Sequence, residues 1–253
     1  MSDYVDPNDF VITRKRKKYR FAMFANAKNC FEFDDWLKLS AREVDETFLG
    51  RPAPVDSDSC DKGDRKDVSP TSSHIVAELG AGTGLFTVAL AEKYPEKTFA
   101  AIDVKADRLQ KGAYTALEKG LTNIVFIRAR ADQIDQLFDA HSLEQIWLTF
   151  PDPFGRPRSA RRRMTHPIYL ETYAKVLQKN GVCLLKHDNI DFFHWSLEQL
   201  VQANWRITQL SFDLHDSELA DDYKILTTYE QRWLSEGRTT YFASATPSQN
   251  LVQ

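Results

Sequence analysis

From His74 onward, short apolar runs alternate with amphipathic stretches of helical period, and that alternation leaves few folds open to the chain. Residues 75–79, 98–102, 124–127, 145–149 and 182–186 read as buried strands, with helices over 85–94, 106–119, 134–138, 167–177 and 192–203. Strand-helix alternation of this kind builds a parallel sheet with helices on both faces. Two further strands, 205–210 and 239–245, flank a polar segment and are expected to pair antiparallel at one sheet edge, giving a mostly parallel seven-stranded sheet.

The chain has 253 residues, enough for one sizeable α/β domain with additions or for two small domains. Residues 1–50 read as a basic and aromatic N-terminal arm, 51–73 as a polar linker or loop, and 74–253 as the main domain. A net charge of −3 excludes bulk positive charge as the means of holding a nucleic acid, so any such binding falls to local patches at 14–20 and 156–163. Three widely spaced cysteines, with no CxxC pair, argue against a disulfide framework or a zinc site and fit a reducing cytoplasm. No apolar stretch reaches the roughly 18 residues that a membrane span needs, so no membrane partner is expected. Whether the chain acts as a monomer or a homodimer is left open by the sequence.

The run that begins Phe150-Pro151-Asp152-Pro153-Phe154 and ends in Arg161-Arg162-Arg163 follows the fourth core strand directly. A carboxylate there lies at the C-terminal edge of the sheet, where α/β folds place their ligands. Prolines on both sides fix φ and remove backbone donors, so Asp152 is expected in one orientation with few backbone partners of its own. The arginines offer planar forks suited to phosphate, although basic loops are often only solvated surface.

A glycine turn, Gly80-Ala81-Gly82-Thr83-Gly84, follows Glu78 at the end of the first core strand, and Asp103 ends the second. Glycines let the backbone approach a ligand closely, and an acid at the second strand can accept hydrogen bonds from both ribose hydroxyls of an adenosine. In the dinucleotide fingerprint the third glycine stands three after the second, whereas Gly84 is two after Gly82 and Leu85 fills the dinucleotide position. A pyrophosphate would also want positive charge beside the turn, and the sequence puts none near it. Both points favour S-adenosylmethionine, a cationic sulfonium, and a Rossmann-like class I methyltransferase. A tight strand-to-helix turn with no ligand is the plain alternative.

Asp188 ends the fifth strand and Glu230 lies in Thr227-Thr228-Tyr229-Glu230. Guanine offers two adjacent donors on its Watson–Crick edge, which a carboxylate matches. Asp188 could equally cap the helix after it, and Glu230 could be a surface acid paired with Arg232. His187, Asp188 and His194 lack the additional ligands a metal would need, and no metal is expected.

These residues resemble one family, the bacterial TrmB-like tRNA (guanine-N7)-methyltransferases, over about residues 74–245. The markers are Pro151-Asp152-Pro153-Phe154 with its following arginines, where the family has Trp at the aromatic; His187-Asp188, where it has Thr-Asp; and Thr227-Thr228-Tyr229-Glu230 followed by Gly237. The resemblance implies that Glu78, Gly80, Gly82, Gly84, Asp103 and Asp152 bind S-adenosylmethionine, with Arg130 and Asp132 near the adenine, and that Asp152 is the catalytic carboxylate at the reaction centre. It further implies that Arg156, Asp188, Thr227, Thr228, Tyr229 and Glu230 contact the target nucleotide and that Arg158, Arg161, Arg162 and Arg163 touch tRNA. The implied target is the variable-loop guanine at tRNA position 46. A small-molecule methyltransferase would have no reason to carry the arginines, and a non-catalytic RNA-binding module would leave the acids unexplained.

Overall fold

The apolar runs become the interior strands of one eight-stranded sheet in the computed structural model, which describes residues 4–39, 43 and 74–248. The expected linker over 51–73, and Cys60 within it, lie outside the described residues. In chain order the elements are α1 (Lys15–Asn26), β1 (Cys30–Glu32), α2 (Phe33–Trp36), β2 (Ile75–Leu79), α3 (Leu85–Lys93), β3 (Thr98–Asp103), α4 (Ala106–Glu118) and β4 (Ile124–Arg128). They continue through α5 (Ile134–Leu137), β5 (Leu143–Thr149), α6 (Pro167–Val176), β6 (Leu177–His187), α7 (Ile190–Gln202), β7 (Trp205–Ser211), α8 (Thr228–Leu234) and β8 (Tyr241–Pro247).

The strand order is β1-β4-β3-β2-β5-β6-β8-β7, and β8 alone runs antiparallel to its neighbours. β3 and β4 are buried along nearly their whole length, as strands covered on both faces must be. One apolar layer gathers Phe24, Phe86, Leu109, Trp147 and Phe242; the other holds Trp36, Leu148, Leu170, Tyr173 and Phe193. In α4 the buried residues Ala106, Leu109, Ala113 and Ala116 recur at helical spacing, which fixes the face turned to the sheet.

Two differences from the sequence reading matter. The sheet has eight strands because the arm supplies β1, which pairs with β4 from Cys30 opposite Phe126 to Glu32 opposite Arg128. Trp36, 3% exposed, anchors it by donating from Nε1 to the Leu137 carbonyl at 2.9 Å. The second difference is α8, which folds within the polar segment before the last strand. Thr227 caps it, accepting from the Glu230 N–H at 3.0 Å while Glu230 accepts from the Thr227 N–H at 3.1 Å.

The chain steps from β2 through β3 to β4 toward one edge, and from β5 to β6 toward the other. A crevice therefore opens beyond the C-terminal ends of β2 and β5, where the direction reverses. No helix among the described residues is long and apolar enough to cross a membrane.

Candidate active site

The crevice holds a cleft of about 490 Å³ lined by Glu78, Gly80 to Thr83, Phe86, Arg108, Thr149, Phe150, Thr227 to Tyr229 and Arg232. Its floor is Glu78, 1% exposed, whose Oε1 accepts from Thr149 Oγ1 at 2.5 Å and whose Oε2 accepts from Thr87 Oγ1. Burial pushes the Glu78 carboxyl up to about 7, against the lowering effect of the two threonines. A cation above it would draw this acid back to its charged form.

The glycine turn is held down from behind. Gly80 and Ala81 donate to the Ile102 carbonyl at 2.8 and 3.0 Å, and Gly82 donates to Asp103 Oδ2 at 2.9 Å. Gly82 has φ of 58°, and a side chain built on it would meet no atom within 4 Å, so the turn presents bare backbone to open space. At Gly84 the opposite holds, since a Cβ would come within 2.6 Å of the Phe126 ring. That glycine lets β4 pack directly beneath the turn. The open backbone over Gly82 and the buried acid fit an adenosine carrying a cationic sulfonium.

The electrostatic picture differs from the sequence reading in one respect. Arg108, on the first turn of α4, and Arg232, on α8, both line the cleft although neither is near residues 80–84 in sequence. Asp103 also does more than expected: Oδ2 holds Gly82 and Oδ1 accepts from the Lys105 N–H at 2.8 Å, so it braces the turn. Arg130 and Asp132 follow β4 and form an ion pair with each other, away from the cleft lining.

A second cavity, about 230 Å³, adjoins the first. Phe150, Pro151, Asp152, Pro153, His187, Asp188, Asn189, Tyr229 and Arg238 line it, and Phe150 and Tyr229 line both cavities. These two rings lie 5.2 Å apart between centroids and form the shared wall. Asp152 faces the cavity with no hydrogen-bond or ion-pair partner among the described residues.

Asp188 does not cap α7. Asn189 does so, its Oδ1 accepting from the Phe192 N–H at 2.8 Å, which leaves the Asp188 carboxylate to face Arg238 at 3.3 Å. His187 ties the two acidic segments together. Its Nε2–H donates to the Pro151 carbonyl at 2.9 Å while Nδ1 accepts from the Asn189 N–H at 2.8 Å. Burial lowers the pKa of this histidine, consistent with a neutral ring.

Glu230 is neither a surface acid nor paired with Arg232. It is 1% exposed, bound to Lys186 Nζ at 2.6 Å, His215 Nε2 at 2.8 Å and the Thr227 N–H, so it anchors α8 beneath the cleft and does not reach into either cavity. The Thr227 hydroxyl is likewise occupied as the helix cap, and Thr227 lines the cleft together with Thr228 and Tyr229.

The arginine loop forms a short 3-10 turn over Pro157–Arg162. Arg156, Arg158, Arg161 and Arg162 are exposed, and the Arg162 guanidinium lies 4.4 Å from the centre of the Phe154 ring. Arg163 departs from the others: it stacks at 4.4 Å on Trp195 and donates to the Phe154 carbonyl at 3.2 Å, holding the loop to α7. Among the described residues no cluster of three or more His, Cys, Asp or Glu side chains is arranged as metal ligands.

The sequence reading missed Thr87 and Thr149, which hold Glu78, and also Arg108 and Arg238. Only the threonine after the apolar run of β5 carries a signal, as a hydroxyl at a strand's C-terminal end beside the switch point.

Sheet order, glycine turn and acid-floored cleft together define a class I methyltransferase domain. In accord with that, a family model described as "Putative methyltransferase" matches residues 72–243. A tRNA (guanine-N(7)-)-methyltransferase of Brevibacillus brevis is 34% identical over 194 residues, spanning 77% of this chain and 90% of that protein. One of the same description from Bacteroides fragilis is 36% identical over 173 residues, 68% of each chain. Among solved structures, an antibiotic-related methyltransferase superposes with a TM-score of 0.56 at 17% identity, covering 83% of this chain and 96% of that one. A 16S rRNA methyltransferase gives the same TM-score at 14% identity, covering 83% and 95%, a likeness of fold alone. The chain belongs to the tRNA (guanine-N7)-methyltransferase family.

Proposed function

We propose that the protein methylates N7 of a guanine in tRNA, the variable-loop guanine at position 46, with S-adenosylmethionine as donor. The observation that carries this reading is the junction of two cavities across Phe150 and Tyr229, one floored by Glu78 and the glycine turn, the other edged by Asp152 and Asp188. S-adenosylmethionine, when bound, supplies an electrophilic methyl group on a positively charged sulfur. Glu78 and the turn from Gly80 to Gly84 hold it, with Asp103 bracing the turn.

Guanine N7 bears a lone pair and no proton, so the reaction needs alignment and no obligatory base. Phe150 and Tyr229 offer faces on which the flipped base can stack, and the base must leave its own stack to arrive there. Asp188 accepts from the Watson–Crick edge. Asp152, which has no hydrogen-bond or ion-pair partner among the described residues, stabilises the positive charge that spreads into the purine as the methyl arrives. His187 sets the position of Asp152 through the Pro151 carbonyl. Arg158, Arg161 and Arg162 grip phosphates, with Arg156 near the target nucleotide. The protein would work in the cytoplasm, where its cysteines remain thiols.

Labelled S-adenosylmethionine and unmodified tRNA, followed by chemical cleavage at N7-methylguanine, test this directly. Label at a single guanine in the variable loop is the expected result. Label elsewhere, or transfer to a small molecule only, would replace the reading.

A further inference from the structure

We propose that Arg238 is a specificity-determining residue that donates to O6 of the target guanine while Asp188 takes N1–H and the N2 amino group. This rests on the reading that the smaller cavity receives guanine.

Arg238 is built into that cavity. α8 ends at Leu234, the chain turns back at Gly237, with φ of 75°, and the Arg238 N–H returns to the Trp233 carbonyl at 3.1 Å. The guanidinium then stacks 3.7 Å from the centre of the Trp233 ring and points Nη1 at Asp188 Oδ2, 3.3 Å away. Its Nε also lies 4.0 Å from Glu236 Oε2. The Asp188 side chain is only 8% exposed, while that of Arg238 is 49% exposed. The acid is therefore the fixed member of the pair and the arginine the member with room to move.

Guanine's Watson–Crick edge presents an acceptor, O6, and then two donors, N1–H and N2–H, in a row. A carboxylate alone satisfies the donors and ignores the acceptor. A carboxylate with a guanidinium beside it matches all three groups, because the arginine fork carries five N–H donors and its contact with Asp188 uses one. Adenine would set its amino donor against the arginine and leave the carboxylate with no donor at N1. The placement matters as well. An arginine gripping O6 and N7 together would occupy the atom to be methylated. One that sits beside Asp188 approaches O6 from the Watson–Crick side and leaves N7 free. Before the base arrives, Arg238 neutralises the nearly buried Asp188; afterwards N1–H replaces it on the carboxylate and the guanidinium moves to O6.

The test compares kcat/KM for tRNA bearing guanine or 6-thioguanine at the target, since sulfur at position 6 is a poor acceptor and the two donors are retained. Wild-type protein should prefer guanine by roughly tenfold, the scale of one specific base contact. Arg238→Ala should lose activity on guanine and lose little on 6-thioguanine, so that the preference disappears. Arg238→Gln, which keeps an N–H donor, should retain part of it, and also serves if the alanine variant folds poorly. Equal losses on both RNAs in both variants would reduce Arg238 to a structural brace and overturn the proposal. A wild-type protein that methylates neither RNA at N7 would instead remove the reading on which it rests.

Discussion

Lys186 Nζ lies 2.6 Å from Glu230 Oε2, and neither side chain reaches solvent. Lys186 also donates to the Ile225 carbonyl at 2.9 Å, so the end of β6 is bolted to the segment that carries Thr227, Thr228 and Tyr229. Replacing either partner by alanine strands a charge in the interior and should destabilise the fold by about 3–5 kcal/mol. Lys186→Met with Glu230→Leu together should restore most of that in denaturant titration, while methyl transfer stays low because the cleft wall has lost its anchor. A double variant no more stable than the singles would show that packing, and not charge, dominates this pair.

Glu78 gives a stability that varies with pH. Its carboxyl moves from 4.5 to about 7 on folding. Below 4.5 both states hold the proton and the fold is at its strongest; between 4.5 and about 7 the unfolded chain ionises first and stability falls. Above that range the penalty is on the order of 3 kcal/mol. Glu78→Gln should therefore melt higher than the parent at pH 8 without cofactor and close to it near pH 4.5, and should bind S-adenosylmethionine more weakly by calorimetry. A melting difference that does not change with pH would contradict this.

The arginines of the loop divide into two kinds. Arg158→Ala and Arg161→Ala should each reduce the slope of log Kobs against log salt for tRNA by about 0.7–0.9, one phosphate contact apiece. Arg163→Ala should leave that slope alone and lower stability by about 1–2 kcal/mol, the worth of its stacking on Trp195. A slope that falls with Arg163 and not with the others would reverse the assignment.

His187 titrates in the opposite sense to Glu78. The unfolded ring takes a proton as pH drops through 6.5, whereas burial keeps the folded ring neutral to lower pH, so its contribution is intact above 6.5 and shrinks below it. His187→Thr should thus differ most from the parent at pH 7.5 and progressively less toward pH 5, measured as unfolding free energy. A constant gap would place the titration elsewhere.

Much of the sheet was legible because its strands are unbroken apolar runs set off by polar turns. Residues 75–79 were bounded correctly from sequence, and neighbouring strands to within a few residues. β1 was not, since Cys30-Phe31-Glu32 is too short to show a period, and its pairing depends on Trp36 reaching Leu137. α8 hid in a polar segment, although Thr227-x-x-Glu230 carries the pattern of a reciprocal helix cap. For Asp188 the two readings were inseparable on sequence because Asn189 stands next to it; only the backbone decides which side chain turns toward Phe192. Arg108 and Arg238 could not be found at all, as a lone arginine gives no hint of which cavity a distant helix brings it to.

β1 changes the meaning of the N-terminal arm. Its three residues cover the outer rim of β4, and Phe24 and Trp36 fill hollows in the two apolar layers. A fragment trimmed to begin at His74 would carry an unsealed row of peptide groups along Phe126 to Arg128 and two greasy sockets beside it. Such a fragment would tend to adhere to its own copies, as bare rims of sheets do.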